Sequence, residues 1–127
     1  MMANIINTPK AGQPIGPYNQ AVMANGTLYV SGQICIDGST GKLMNKDVET
    51  EAHQVMKNLG LILEEAGLGF KNVVKCSIFL ADMANFAVVN EIYGSYFDGK
   101  YPARETVEVS CLPKNVQVEI SLIAVEG

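Results

Sequence analysis

The stretch Val116-Gln117-Val118-Glu119-Ile120-Ser121-Leu122-Ile123-Ala124-Val125, close to the C-terminal end, decides the fold. It begins by alternating apolar and polar residues, which is typical of a β-strand with one buried face, and then becomes continuously apolar. A strand that is apolar on both faces needs a cover on each of them. We therefore expect a sheet with helices over one face and other subunits over the second.

A hairpin nearer the N-terminal end gives the clearest local signal. Residues 19–24 and 27–34 are predicted as two strands, and Asn25-Gly26 lies between them. Asn-Gly favours a type I′ turn, because both central positions of that turn need positive φ. Three further strands are predicted at residues 73–80, about 106–111, and 116–125.

Two amphipathic helices complete the secondary structure. Asp47 can cap a helix that runs to about Ala66, and Gly67 follows where a left-handed C-cap is wanted. Asp82 is predicted to cap a second helix through about Phe97. The resulting order, β-β-α-β-α-β-β, predicts an α+β two-layer sandwich with a mixed sheet and both helices on one face.

Composition limits the classes of function. The 127 residues are predicted to form a single domain, residues 1–127, and only 17% of them are charged, against about 25% in a typical soluble domain. This shortage of charge is a second indication that another subunit covers part of the surface. The net charge of −4, without a cluster of Lys or Arg, provides no electrostatic footprint for nucleic acid.

The cysteine pattern and the short apolar runs indicate a cytoplasmic protein without a membrane segment. Cys35, Cys76 and Cys111 are widely spaced in apolar contexts, so we expect buried, reduced thiols. His53 is the single histidine, and no Cys/His pairing has metal-ligand spacing. The sequence thus gives no sign of a metal site.

Arg104 and Glu119 are the main candidates for chemistry. A guanidinium is costly to desolvate and must find an anion, in the protein or in a ligand. Strand alternation places Arg104 and Thr106 on one face and Glu105 on the other. Two explanations stay open: a structural ion pair of Arg104 with Glu108, Glu119 or a C-terminal group, or a cation that binds an acid while Glu119 activates a water.

Four other positions each have a structural and a functional explanation. Tyr18 follows a rigid Pro/Gly segment, and is either a partly buried aromatic or part of a pocket. Ser31 and Gly32 end a strand with small residues, which marks a bulge or the close approach of a ligand. Asn90 lies inside the second predicted helix, where an amide is disfavoured unless it is hydrogen-bonded.

Segments with a recognisable pattern run in one order through nearly the whole chain: Ile15–Tyr18, Ser31–Ile34, Thr40–Lys42, Ala66–Leu68, Val89–Tyr93, Pro102–Arg104, Leu112–Lys114 and Val118–Ile120. Together they resemble the RidA family, also called the YjgF family, of reactive-intermediate imine deaminases. The number and order of the matches make the resemblance specific, although each segment alone is a weak signal.

The resemblance implies a chorismate-mutase-like fold and a homotrimer with sites in the clefts between subunits. It implies hydrolysis of 2-imino acids, such as 2-iminobutanoate and 2-iminopropanoate, to 2-keto acids and ammonia, without a cofactor or metal. Arg104 would clamp the substrate carboxylate and Glu119 would polarise the attacking water. The remaining binding residues implied are Tyr18, Ser31, Gly32, Asn90 and Thr106.

The chain departs from the family pattern after the arginine, where Glu105 replaces a small residue and Thr106 replaces a frequent cysteine. If Glu105 faces away from Arg104, it changes a subunit surface and leaves the site intact. The alternative function is a non-catalytic module that binds or senses 2-keto or other short carboxylic acids in the same clefts. A ribonuclease, a third activity attached to the family, is disfavoured by the negative charge.

Overall fold

The computed structural model describes residues 3–127, so Met1 and Met2 of the predicted domain lie outside the described residues. The elements run in the order β1 Asn4–Ile6, β2 Ala21–Ala24, β3 Thr27–Gln33, α1 Val48–Glu65, β4 Val73–Leu80, α2 Phe86–Gly94, β5 Ala103–Glu108 and β6 Val118–Val125. Short 3₁₀ turns precede β4, α2 and β6. Within residues 3–127, no helix is long and apolar enough to cross a membrane.

The strands form one six-stranded sheet in the order β1-β2-β3-β6-β4-β5. β4 and β5 are parallel, and every other neighbouring pair is antiparallel, which confirms the mixed sheet of an α+β fold. Helix α1 packs on β3 and β6, and α2 packs on α1. Fully buried apolar residues fill the space between the layers: Leu28, Val55, Leu59, Ile62, Ile78 and Ile120.

The opposite face of the sheet carries apolar side chains that no helix covers. Tyr29 pairs with Ile123 on this face and is 50% exposed. Val107 pairs with Phe79 and is 41% exposed. The expectation of a sheet that is apolar on both faces is therefore confirmed, with one face uncovered in the single chain.

Three local sequence signals are confirmed in detail. Asn25 and Gly26 have φ values of 52° and 75°, as a type I′ hairpin turn needs. The Asp47 carboxylate accepts a hydrogen bond of 2.7 Å from the Thr50 N–H and caps α1. Gly67 follows α1 with φ of 76°, in the left-handed region.

Five predictions were wrong at their boundaries or in number. β2 begins two residues later than predicted, at Ala21. The first strand, β1, was not predicted, because this three-residue edge strand exists through its pairing with β2. Asp82 caps a 3₁₀ turn, Met83–Asn85, and α2 proper is only Phe86–Gly94. β5 lies three residues earlier than predicted, at Ala103–Glu108, and β6 begins two residues later, at Val118.

The cysteines divide into two groups. Cys35 and Cys76 are buried as expected, and burial raises the pKa of both thiols, that of Cys35 to about 11. Cys111 is exposed, which contradicts the expectation of a buried thiol. It follows β5 at the edge of the sheet, where no further strand covers it.

We predict that Gly67→Ala lowers the free energy of unfolding by about 1 kcal/mol, because an L-residue is disfavoured at positive φ. Gly69 provides a matched control: its φ is −147°, which any residue adopts, and at both glycines an added Cβ would meet no neighbour within 4 Å. Gly69→Ala should be neutral or slightly stabilising. Urea denaturation at one fixed protein concentration measures both, and equal losses would contradict the conformational argument.

Candidate active site

Arg104 lies on the helix-covered face of the sheet, in register with Cys76 of β4. Its guanidinium donates a hydrogen bond of 2.6 Å from Nη1 to Oδ1 of Asn90, on α2. The ring centroids of Tyr93 and Phe86, on the same helix, lie 5.1 and 5.7 Å from its Cζ atom. Two aromatic faces and one amide thus orient a half-buried cation.

No carboxylate in residues 3–127 lies within ion-pair distance of Arg104, so the predicted alternative of a structural ion pair is wrong for the single chain. Glu105 points to the opposite face, where it pairs with Lys75 at 2.8 Å and contacts Ser77, and these two groups lower its pKa. Glu108 accepts a hydrogen bond from the Met83 N–H. The positive charge of Arg104 therefore has no anion among the described residues.

An open cleft of about 800 Å³ lies beside Arg104, and its lining includes Asn90, Glu91, Tyr93 and Tyr101, with the Glu91 carboxylate outside ion-pair distance of Arg104. We call it the Arg104 cleft. Next to Arg104 along the same face of β5, the buried hydroxyl of Thr106 has no hydrogen-bond partner within the described part of the chain. Thr106 does not line the cleft itself, so the cation without a paired anion is the feature of the cleft that suits a carboxylate ligand.

Glu119 lines a separate cavity of about 410 Å³, which we call the Glu119 cavity. Tyr18, Ser31 and Gly32 line the same cavity, so three of the predicted binding residues lie together with the predicted base. Burial raises the pKa of the Glu119 carboxyl above its ordinary value. A carboxylate with a raised pKa is a stronger proton acceptor at neutral pH.

A bulge in β3 makes room for the Glu119 carboxylate. The register of β3 against β6 shifts between Val30 and Gln33, and Gly32 lies in this irregular stretch. A Cβ on Gly32 would overlap Oε2 of Glu119. The Ser31 hydroxyl donates a hydrogen bond of 2.7 Å to the Asn19 carbonyl and fixes the bulge to the segment before β2.

Arg104 and Glu119 do not meet within one chain. Arg104 is in register with Cys76 and Leu122, whereas Glu119 is in register with Phe79, so the two side chains leave opposite faces of the sheet. Three residues along the strand and two strand spacings separate them, which puts their Cα atoms about 14 Å apart. The predicted pair is therefore divided between two cavities.

Sequence reasoning missed several residues of both cavities. Phe86 and Tyr93 were not among the predicted site residues, although they flank the Arg104 guanidinium. Pro113 and Ile36 line the Glu119 cavity but were not predicted as site residues, although Pro113 lies in the Leu112–Lys114 segment of the family resemblance. No group of three or more His, Cys, Asp or Glu side chains in residues 3–127 has the arrangement of a metal site.

Comparisons with known proteins agree with this architecture. Residues 8–126 match the sequence profile of the family described as Endoribonuclease L-PSP. A RutC family protein of Synechocystis sp. is 54% identical over 98% of each chain, and the 2-iminobutanoate/2-iminopropanoate deaminase of Mus musculus is 50% identical over all of this chain and 94% of its own length. A crystal structure of a conserved Rid family protein from Yersinia pestis superposes with a TM-score of 0.95 at 46% identity, covering 98% of this chain and 100% of the other.

We predict that Glu119→Gln raises the free energy of unfolding at pH 7. The pKa of Glu119 is raised in the folded state, so between the unfolded and folded pKa values the folded state binds more protons than the unfolded state. The free energy of unfolding that this group contributes is therefore lost as the pH rises through that window. The glutamine variant does not titrate, so it does not lose this free energy.

The advantage of Glu119→Gln should shrink as the pH falls below the ordinary glutamate value of 4.5, where the carboxyl is protonated in both states. Chemical denaturation at pH 7 and pH 4 measures the difference. Glu64→Gln, at an exposed position of α1, is the matched control and should show no such dependence. A Glu119→Gln variant no more stable than the parent at pH 7 would show that the buried carboxylate costs nothing.

Proposed function

The chain belongs to the RidA family, whose sequence profile carries the description Endoribonuclease L-PSP, and on this premise we propose that it is an imine deaminase. Its substrates would be 2-imino acids such as 2-iminobutanoate and 2-iminopropanoate, and its products 2-keto acids and ammonia. The observation that carries the proposal is the half-buried Arg104, which Asn90 and two aromatic rings orient and which has no paired carboxylate within residues 3–127.

The substrate carboxylate would bind Arg104 in the Arg104 cleft. A guanidinium presents two parallel N–H donors to a carboxylate, and the Nη1 bond to Asn90 fixes the plane of this fork. The Thr106 hydroxyl is buried beside Arg104, outside the lining of the cleft, and would contact the ligand only if the site opened toward it. An imino acid would thus be held by the end that does not react.

Glu119 would act as the general base. It accepts a proton from a water whose oxygen bonds to the imine carbon, while the electron pair of the C=N bond moves to nitrogen and takes up that proton. The resulting carbinolamine releases ammonia, and its hydroxyl proton passes through Glu119 to the departing nitrogen as the C=O bond forms. Tyr18 and the Gly32 backbone would border the reacting carbon and limit access of other nucleophiles.

We propose that the working site forms between subunits of a homotrimer. One chain presents Arg104 and Glu119 on opposite sides of its sheet, so a second copy must bring one residue to the other. The uncovered apolar face, with Tyr29 and Val107, gives the surface through which copies would associate. The Glu119 cavity would then lie at the rim of this face, next to the neighbouring copy.

Two other activities remain as outcomes of the tests. A module that only binds 2-keto acids would keep Arg104 and need no base at position 119. RNA cleavage, which the family description names, has no support in the charge of this chain, since a net charge of −4 disfavours a polyanion.

We predict that the protein accelerates formation of 2-keto acid when 2-aminoacrylate is generated in situ by a dehydratase. Arg104→Ala should lower kcat/KM by about 100-fold or more, because two charge-assisted hydrogen bonds are lost. Arg104→Lys should recover little of it, since an ammonium lacks the planar fork. Lys100→Ala, a nearby exposed cation, is the matched control.

Glu119→Gln separates catalysis from binding in the same assay. A deaminase loses turnover in this variant but still binds a 2-keto acid in calorimetry. Binding by the parent protein together with no acceleration would replace the deaminase with the carboxylate-binding module.

We further predict that Arg104→Ala and Glu119→Gln subunits complement each other. If each site takes Arg104 from one subunit and Glu119 from the next, random co-assembly restores both residues in about one quarter of all sites, and in about one third of the sites in the mixed trimers that carry both tags. Co-expression with two affinity tags, followed by tandem purification and the turnover assay, measures the recovery. A mixture as inactive as its parents would place both residues of a site in one subunit and overturn the shared site.

A further inference from the structure

Gln20 is a buried polar residue that has no role in the proposed reaction and lies outside the segments that carry the family resemblance. It lies directly before β2 and is 1% exposed. Its carboxamide makes three hydrogen bonds, all to the backbone of the segment that runs over the Glu119 cavity. We call that segment, residues 7–19, the N-terminal arm.

The three bonds use both N–H donors and one acceptor site of this side chain, and all of them go to one stretch of backbone. Oε1 accepts from the Thr8 N–H at 2.7 Å, and Nε2 donates to the carbonyls of Thr8 at 3.1 Å and Gly12 at 2.8 Å. Because the arm offers one N–H donor and two carbonyl acceptors, the orientation of the amide oxygen and nitrogen is determined by these partners. An irregular segment cannot pair its own buried backbone N–H and C=O groups. The Gln20 side chain hydrogen-bonds to them, as a neighbouring strand would in a sheet.

The backbone of Gln20 ties the same arm to the cavity wall. Its N–H donates to Oδ1 of Asn7 at 2.8 Å, and its carbonyl accepts from the Ser31 N–H at 2.8 Å. Ser31 lines the Glu119 cavity. One residue therefore links the start of the arm, its middle, and the bulge beside Glu119.

The anchored part of the arm and its free part differ in burial. Ala11 and Gly12 are buried, whereas Ile15 and Tyr18 are 59% and 45% exposed. Tyr18 is held locally only by its own turn, in which its N–H donates to the Gly16 carbonyl and its hydroxyl accepts from the Ile15 N–H at 3.4 Å. The Ser31 hydroxyl fixes the chain on the C-terminal side of Tyr18, at the Asn19 carbonyl. The Gln20 carboxamide fixes it on the N-terminal side, at Gly12, so the exposed stretch that carries Tyr18 lies between these two fixed points.

We propose that Gln20 is a positioning residue, which holds Tyr18 at the Glu119 cavity through the backbone of the N-terminal arm. This inference rests on the proposed function for its effect on turnover, but the position of the arm can be measured without any activity. Gln20 itself lines the Glu119 cavity, but both of its amide N–H groups and its Oε1 atom are bonded to the arm, so in this scheme it acts through the arm and not on the reacting atoms. Its loss should release the arm while the sheet and helices stay folded.

A single-tryptophan reporter tests the position of the arm. The chain contains no tryptophan, so Tyr18→Trp introduces the only one. In this background Gln20→Met keeps the side-chain volume but removes all three bonds, and it should raise the Stern–Volmer constant for acrylamide quenching at least twofold. Gln54→Met, on α1 away from the arm, is the matched control and should leave quenching unchanged. Equal quenching with and without Gln20 would overturn the proposal.

Far-UV circular dichroism and gel filtration verify that the variants are folded. If Gln20→Met does not fold, Gln20→Glu replaces it: the carboxylate still accepts from Thr8 N–H but faces two carbonyls without a donor, so it should release the arm in the same way. A folded Gln20→Glu protein with unchanged quenching would overturn the proposal as well.

A double-mutant cycle tests the route of action on turnover. Gln20→Met and Tyr18→Ala should each lower kcat/KM at least tenfold. The double variant should have a kcat/KM no lower than that of the less active single variant. Multiplying effects would show that Gln20 acts independently of Tyr18 and contradict the proposal. A parent protein without turnover would contradict only the proposed function. The positioning role of Gln20 would still be tested by quenching, which does not depend on activity.

Discussion

The alternation of side chains across the pleated sheet is the constraint on which the rest of the structure depends. β6 lies between β3 and β4, so its even-numbered residues from Val118 to Ala124 are fixed in the core and Glu119 must leave the other face. The same rule directs Arg104 of β5 toward α2. No rearrangement of loops can join the two residues within one chain, and this makes association of copies a requirement of the proposed chemistry.

Arg104 shows how the fold keeps a cation available. Stacking on Tyr93 and Phe86 and one amide bond to Asn90 compensate part of its desolvation, but none of these partners carries a charge. An internal carboxylate would hold the guanidinium more strongly and leave nothing for a ligand. Glu105 is the carboxylate nearest in sequence, and Lys75 and Ser77 hold it on the opposite face.

Sequence reasoning succeeded where the signal was local and failed where it was not. The Asn25-Gly26 turn, the Asp47 cap and the Gly67 C-cap each depend on a few adjacent residues, and all three are confirmed. β1 forms only because it pairs with the edge of β2, which the local sequence does not encode. The start of α2 follows a 3₁₀ turn, and a capping residue alone does not distinguish such a turn from an α-helix. The face of Arg104 followed from alternation, but its contact with Asn90 depends on how α2 crosses the sheet, which no local pattern encodes.

The Glu119 cavity requires several weak features to act together. The missing side chain of Gly32 admits the carboxylate, and burial in the cavity then raises its pKa, which makes it a better base and a less favourable ion. The arm that encloses the cavity has no regular backbone pairing of its own, so a buried amide must hold it in place. The glycine in the bulge and the buried carboxylate each lower stability or are neutral, and their coincidence in one cavity is therefore better explained by chemistry than by folding.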